Sequence, residues 1–195
     1  MDKKELIIKK AKELIARFGF KKTTMEDIAR ASRMGKATLY YYFKSKEDIL
    51  REIIEVEGEN LRKILENAVK KGKTAKEKLR LYAIARFRFL QELGLYYSTI
   101  KDEIYAHLDF IEKERQKFDS FDFGMLKDIL EEGVKKGEFK PIDTSYYAFL
   151  LLKGIRGLEY PVVLGQSFSF EDRKVDLEYA INVFLDMLFY GIATR

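Results

Sequence analysis

The chain has 195 residues and no cysteine, which excludes a disulfide framework and any thiolate metal site and suits a reducing cytoplasm. His107 is the only histidine, so a metal centre built on several imidazoles, or on the two Glu-x-x-His pairs of a di-iron bundle, is excluded too. The formal charge of +5 is unevenly placed: residues 1–50 hold 13 Lys/Arg against 7 Asp/Glu, and the other 145 hold 24 against 25.

Nearly every segment carries helical periodicity, prolines occur only at 141 and 161, and β-alternation is absent. The fold class predicted is therefore all-α, with about nine helices. The opening MDKKELIIKKAKEL reads as a charged amphipathic helix rather than an apolar signal segment. Its inner face is Ile7, Ala11, Leu14, Ile15 and Phe18, and Gly19 stops it.

Between Thr23 and Leu50 the signals are dense. Thr24 and Asp27 have the capping spacing that starts a second helix, as do Thr23 and Glu26, so its first residue stays open; its apolar face is Met25, Ile28 and Ala29. Arg33-Met34-Gly35 forms a turn, and Gly35 can cap a third helix. Leu39 and Phe43, four apart, face inward there, leaving Lys36, Ala37, Tyr40 and Tyr41 outward. Ser45 and Asp48 repeat the capping spacing and start a fourth helix at Lys46. Two short helices about a tight turn, with lysine and tyrosines on the second, make a helix-turn-helix reader of duplex DNA. The basic excess in the same segment fits a phosphate footprint.

The fourth helix runs to about Lys71, with Ile49, Ile53, Val56 and Leu61 inward. A fifth, capped by Thr74 and Glu77, covers about Thr74 to Leu93 and is expected to break at Gly94. A shorter sixth spans Leu95 to about Tyr105, and a seventh runs from Leu108 to Lys136, with an interruption expected near Ser120–Gly124. After the connector GEFKPID come helices over Thr144–Leu164 and Glu171–Tyr190. The apolar run Tyr146 to Leu152 is far shorter than the roughly 20 residues a bilayer needs, so no membrane association is expected.

The reader segment resembles the DNA-binding domain of the tetracycline-repressor (TetR) family of bacterial transcriptional regulators. Thr23, Thr24, Ile28, Ala29, Thr38, Leu39, Tyr40, Phe43, Lys46, Glu47 and Leu50 carry the likeness. Arg33 stands where the family commonly has its turn glycine, Gly35 where it has a capping serine, and Tyr42 where it often has histidine. A non-glycine residue in a left-handed turn is strained by roughly 1–2 kcal/mol, which leaves two outcomes open: a strained Arg33, or a different turn.

The resemblance implies a DNA-binding domain over residues 1–50, with its motif at about 24–43, and a ligand-binding and dimerisation domain over 51–195. It implies a cytoplasmic homodimer on a near-palindromic operator, more often a repressor than an activator, released by a small effector. Lys36 suits guanine O6/N7; Ala37 and Thr38 suit base edges; Thr24, Tyr40, Tyr41 and Lys46 suit phosphates, with Arg33 beside them at the turn. Aromatic and polar candidates for a lipophilic pocket are Phe87, Gln91, Tyr97, Tyr105, Phe110, Phe121, Phe149 and Arg156, although any single ring suits ordinary core better, and either polar residue the surface or a satisfied core position. Dimer-interface candidates are Leu151, Ile155, Leu158, Leu177, Ile181, Phe184 and Leu188.

Catalysis is not expected. The sequence has no G-x-S-x-G elbow and no P-loop, and no G-x-G-x-x-G after a strand. No cofactor or metal is implied. The readings that remain open beside an effector-released repressor are a regulator without an effector and a helical protein-interaction module.

Overall fold

The computed structural model describes residues 2–97, 107–163, 169–170, 173–174 and 176–192. These hold α1 (Lys3–Phe18), α2 (Met25–Ala31), α3 (Lys36–Tyr42), α4 (Lys46–Val69), α5 (Ala75–Tyr96), α6 (Leu108–Arg115), α7 (Asp119–Lys135), α8 (Thr144–Val163) and α9 (Leu177–Ile192). A 3₁₀ turn at Gln116–Phe118 joins α6 to α7 without a gap, so the two also count as one helical run and the total, among the described residues, as eight. Two two-residue strands, β1 (Ser169–Phe170) and β2 (Arg173–Lys174), pair antiparallel. They replace the start expected for the last helix at Glu171.

The chain divides into two compact units, residues 1–59 with 96–117, and residues 60–95 with 118–195. In the first, the apolar stripe of α1 (Ile7, Ile8, Ala11, Ile15) meets Phe20, Ile28, Ala29, Leu39, Phe43, Ile49 and Ile53 in one buried cluster. Ile49 and Ile53 explain why this unit extends beyond residue 50: the first turns of α4 complete its core. Ion pairs Lys4–Glu52 at 2.8 Å and Lys12–Glu57 fasten α1 to α4. Phe18 and Val56, expected inward, are both substantially exposed. Phe18 instead borders a surface groove with Leu14, Lys22, Thr23, Asp27, Arg30 and Ala31.

Capping follows the sequence signals closely. Thr24 Oγ1 accepts from the Asp27 backbone N–H at 3.1 Å, and Asp27 accepts from the Thr24 N–H at 3.1 Å. Ser45 and Asp48 make the same reciprocal pair. Gly35 caps α3 from an extended backbone. Arg33 has φ 55°, so the turn keeps its left-handed geometry without glycine and bears the strain. Its N–H reaches the Arg30 carbonyl, and the Met34 N–H reaches that of Ala29 at 2.9 Å. These bonds close α2 and hold the turn.

In the second unit Leu65, Ala75, Leu79, Tyr82, Phe87, Leu126, Leu130, Phe139, Ala148, Leu151, Leu152, Ile155, Ile181 and Leu185 lie in one core. α5 does not break at Gly94 but continues to Tyr96. A single glycine costs a helix only about 1 kcal/mol, and Gly94 is itself buried. The interruption expected near Ser120–Gly124 falls earlier, at 116–118. Asp119 and Asp122 there lie in the first turn of α7, where the helix dipole favours acids. α7 ends in a Schellman motif: Gly137 at φ 73° donates to Val134 O, and Glu138 N–H donates to Gly133 O. Glu138 then turns its carboxylate to the Ala75 N–H at 2.9 Å and caps α5. Most of the expected sixth helix, including Tyr105, lies outside the described residues.

Threaded through this apolar core is a ring of charge. Arg86 of α5 donates to Glu159 of α8 and, at 2.8 Å, to Asp122 of α7, with Tyr82 Oη at 3.2 Å. Arg156 of α8 lies 3.5 Å from Glu159 and 3.6 Å from Asp122, and also donates to Asp119. Arg86, Glu159 and Asp122 are almost wholly buried. Burial pushes the Asp122 carboxyl above its ordinary value, against the pull of both guanidiniums.

Two guanidiniums alternating with two carboxylates compensate each other, so removing one leaves buried charge unpaired, which costs about 3–5 kcal/mol. Arg86→Met is therefore expected to destabilise the chain by that amount. Urea unfolding followed by far-UV circular dichroism measures it; a loss under about 1 kcal/mol contradicts a ring that staples α5, α7 and α8.

Candidate nucleic-acid interface

The surface that matters for recognition is the outer side of α3. Leu39 is fully buried and Phe43 nearly so, and their four-residue spacing fixes the rotation of the helix. Lys36, Ala37, Tyr40 and Tyr41 are exposed as a result, Tyr41 by 77%. Thr38 and Tyr42 are half-buried, with Tyr42 edge-on to Tyr41 at 5.3 Å between ring centres. α3 spans seven residues, about two turns, so only its outward side chains can reach base edges.

Lys36 does not stand alone. Its Nζ lies 2.6 Å from Oε1 of Glu26 on α2, with both side chains about 60% exposed. The hydrogen bond between them lowers the Glu26 carboxyl and raises the Lys36 ammonium relative to their ordinary values. From the sequence, Glu26 is a candidate capping acid at three residues from Thr23 and has no expected role at DNA. An acid in the first turn of a helix has a sufficient local explanation in the dipole, and its proximity to Lys36 exists only once the turn is closed.

Two residues expected at phosphates are engaged otherwise. Lys46 donates to the carbonyls of Thr23, at 2.8 Å, and Phe20, and its ammonium lies 4.3 Å from the centre of the Phe20 ring. With two of three donors committed, it braces the loop before α2 to the start of α4. The hydroxyl of Thr24 donates to Asp27 Oδ2, 2.6 Å away, so here it is engaged within the cap of α2. Arg33 is exposed beside the turn, as expected.

Among the described residues, the pocket candidates have different surroundings. Phe87 is core, Gln91 and Phe149 are exposed, and Phe121 lies beneath Arg62 at 4.7 Å. Tyr97 packs on the core of the first unit, and Phe110 lies near Arg51 of the same unit at 5.7 Å. Arg156 belongs to the charge ring, where its Nε is buried and meets no acceptor among the described residues. The periodicity that suggested these rings cannot separate a cavity wall from a core.

The dimer candidates lie mainly on the inner sides of α8 and α9. Leu151, Ile155 and Ile181 are buried within the second unit, and Leu158, Phe184 and Leu188 pack against its core; the side chain of Leu177 lies outside the described residues. Among the described residues, the exposed large apolar positions are Tyr146, Phe149 and Leu150 on α8 and Tyr179, Val183, Met187 and Tyr190 on α9. Both helices are apolar on two sides, and the sequence does not say which side the monomer takes. Gly154 brings α8 close to Phe184 of α9, which turns the inner rows together and leaves the outer rows bare.

Known proteins share these features. Residues 7–53 match the bacterial regulatory proteins of the tetR family, and residues 57–189 match the C-terminal region of QacR-like proteins. An uncharacterized helix-turn-helix transcriptional regulator of Bacillus subtilis, YhgD, is 30% identical over 155 residues, covering 78% of this chain and 80% of that protein. The fatty acid metabolism regulator protein of the same organism is 29% identical over 190 residues, 97% and 95% of the two chains. The crystal structure of FadR from Bacillus subtilis in complex with stearoyl-CoA superposes with a TM-score of 0.69 at 27% identity, covering 96% of this chain and 98% of that one. With its reading helix exposed and both of its parts matched, this chain belongs to the TetR family of helix-turn-helix, DNA-binding transcriptional regulators.

Proposed function

We propose that the protein is a homodimeric repressor that occupies a near-palindromic operator and is released by a small lipophilic effector, with a long-chain acyl-CoA thioester as the class. The observation that carries the reading is the outward face of α3, held in register by buried Leu39 and Phe43. A seven-residue helix contacts too few base pairs to specify a site alone, whereas two copies about a two-fold axis double the contacts and require a symmetric operator. The proposed division of labour is DNA reading by residues 1–50 and effector binding and dimerisation by 51–195.

The bare rows on α8 and α9 support self-association. Tyr179, Met187 and Tyr190 are 67%, 72% and 88% exposed, and exposed apolar residues grouped on one face mark interaction surfaces. The effector class rests on the relatives: one is named a fatty acid metabolism regulator, and another is seen with stearoyl-CoA. Among the described residues no helix is long and apolar enough to cross a membrane, in keeping with a cytoplasmic regulator.

Lys36→Ala is expected to weaken operator binding at least tenfold in a fluorescence-anisotropy titration while leaving the helical circular dichroism unchanged. Binding by the unsubstituted chain should also fall steeply with salt, as phosphate contacts release counterions; a flat titration contradicts groove docking. For the assembly, Tyr179→Asp with Met187→Asp should convert a dimer to a folded monomer in sedimentation equilibrium, and an unchanged mass removes this face from the interface. For the effector, saturating stearoyl-CoA should lower operator affinity by about 5- to 150-fold, with operator lowering stearoyl-CoA affinity by the same factor. Equal affinities in the two states exclude that ligand.

A further inference from the structure

Glu26 poses a problem. A carboxylate beside the reading helix faces a polyanion, and its pairing with Lys36 is too exposed to stabilise the fold by more than about 0–1 kcal/mol. The dipole of α2 suits an acid in its first turn, but it does not call for one set against the reading lysine. Chemistry at a base edge gives the pair a use.

An isolated lysine is a point charge that suits any phosphate as well as any guanine. Beside Glu26 it becomes half of a two-part surface, a donor and an acceptor 2.6 Å apart. In the major groove a G·C pair presents guanine N7 and O6 as acceptors next to the N4 amino donor of cytosine. O6 and N4 are joined across the pair by a hydrogen bond of about 2.9 Å, a separation close to that of the two side-chain atoms. An A·T pair suits the same surface less well: its two acceptors, adenine N7 and thymine O4, lie on either side of the N6 amino donor, so one ammonium reaches only one of them.

We propose that Glu26 and Lys36 act as one composite reader of a G·C pair in each operator half-site, Lys36 donating to guanine O6 and N7 and Glu26 accepting from cytosine N4. Away from the operator the pair stays closed, so Lys36 is neutralised and adds little to non-specific affinity. At the right base pair both partners exchange each other for base edges, and neither charge is stranded. Glu26 is thus a specificity-determining residue that gives up attraction to DNA in general for preference among sequences. The inference rests on the reading that α3 docks in the major groove.

The test begins with duplexes selected by the purified full chain from a random palindromic library. Each G·C pair of the selected half-site is then replaced in turn by A·T, T·A and C·G, and affinities are measured by anisotropy beside a random-sequence duplex. For the unsubstituted chain, replacing one particular G·C pair should cost about tenfold per half-site. Glu26→Ala should abolish that preference, tighten the random duplex several-fold, and steepen the salt dependence by about one phosphate per subunit, a change near 1.8 in log–log slope for the dimer. Glu26→Gln removes the charge and keeps an acceptor, so it should tighten the random duplex while retaining most of the preference. Lys36→Ala should lose the guanine preference without tightening the random duplex. If Glu26→Ala leaves both the base preference and the random-duplex affinity unchanged, or if the discriminated pair is A·T, the composite reader is overturned. If the unsubstituted chain selects no duplex at all, groove docking itself fails, a result distinct from both.

Discussion

Leu39 and Phe43 set the rotation of α3, and everything the protein does at DNA depends on that rotation. Helices of seven residues are unstable alone, since nucleation is costly and few hydrogen bonds repay it. α3 persists because its inner side is buried with Ile28, Ala29, Ile49 and Ile53, each large side chain contributing roughly 1.5–3 kcal/mol. The same burial turns Lys36, Tyr40 and Tyr41 outward. The supports are arranged to keep this geometry: Thr24 caps α2, Lys46 braces the loop before it, and Arg33 tolerates a left-handed backbone at the turn between the helices.

The two units handle charge in opposite ways. Around the reading helix, ion pairs are exposed and individually weak, so they can be exchanged for phosphates or base edges at small cost. In the second unit, Arg86, Asp122 and Glu159 are sequestered in the core, with Arg156 partly buried beside them. There no water replaces a lost partner, and the group acts as a fixed fastening among α5, α7 and α8. A reader has to trade contacts, whereas a scaffold must keep them.

Helices α8 and α9 carry two apolar sides each, a pattern that a single folded chain cannot fully bury. The inner rows, centred on Leu151, Ile155, Ile181 and Leu185, complete the core. The outer rows, with Tyr146, Leu150, Tyr179 and Met187, remain exposed. Under the proposed dimer, these rows account for the surplus of apolar surface and bring a second reading helix to the same duplex.

What the residues alone determined was local. Capping at Thr24, Ser45 and Thr74, the inward pair Leu39 and Phe43, and the helical class all follow from spacings of three and four, which sequence displays directly. Placement along an element was less secure where propensity and packing disagree: Gly94 stayed helical, and the break expected at Ser120–Gly124 formed at Gln116–Phe118. Tertiary structure decided which of two apolar sides is core on α8 and α9, that Lys46 faces carbonyls, and that Glu26 meets Lys36 from ten residues away. Such facts depend on how helices rotate and pack against each other. No spacing within one helix encodes that rotation, because it is set by the combined burial of several.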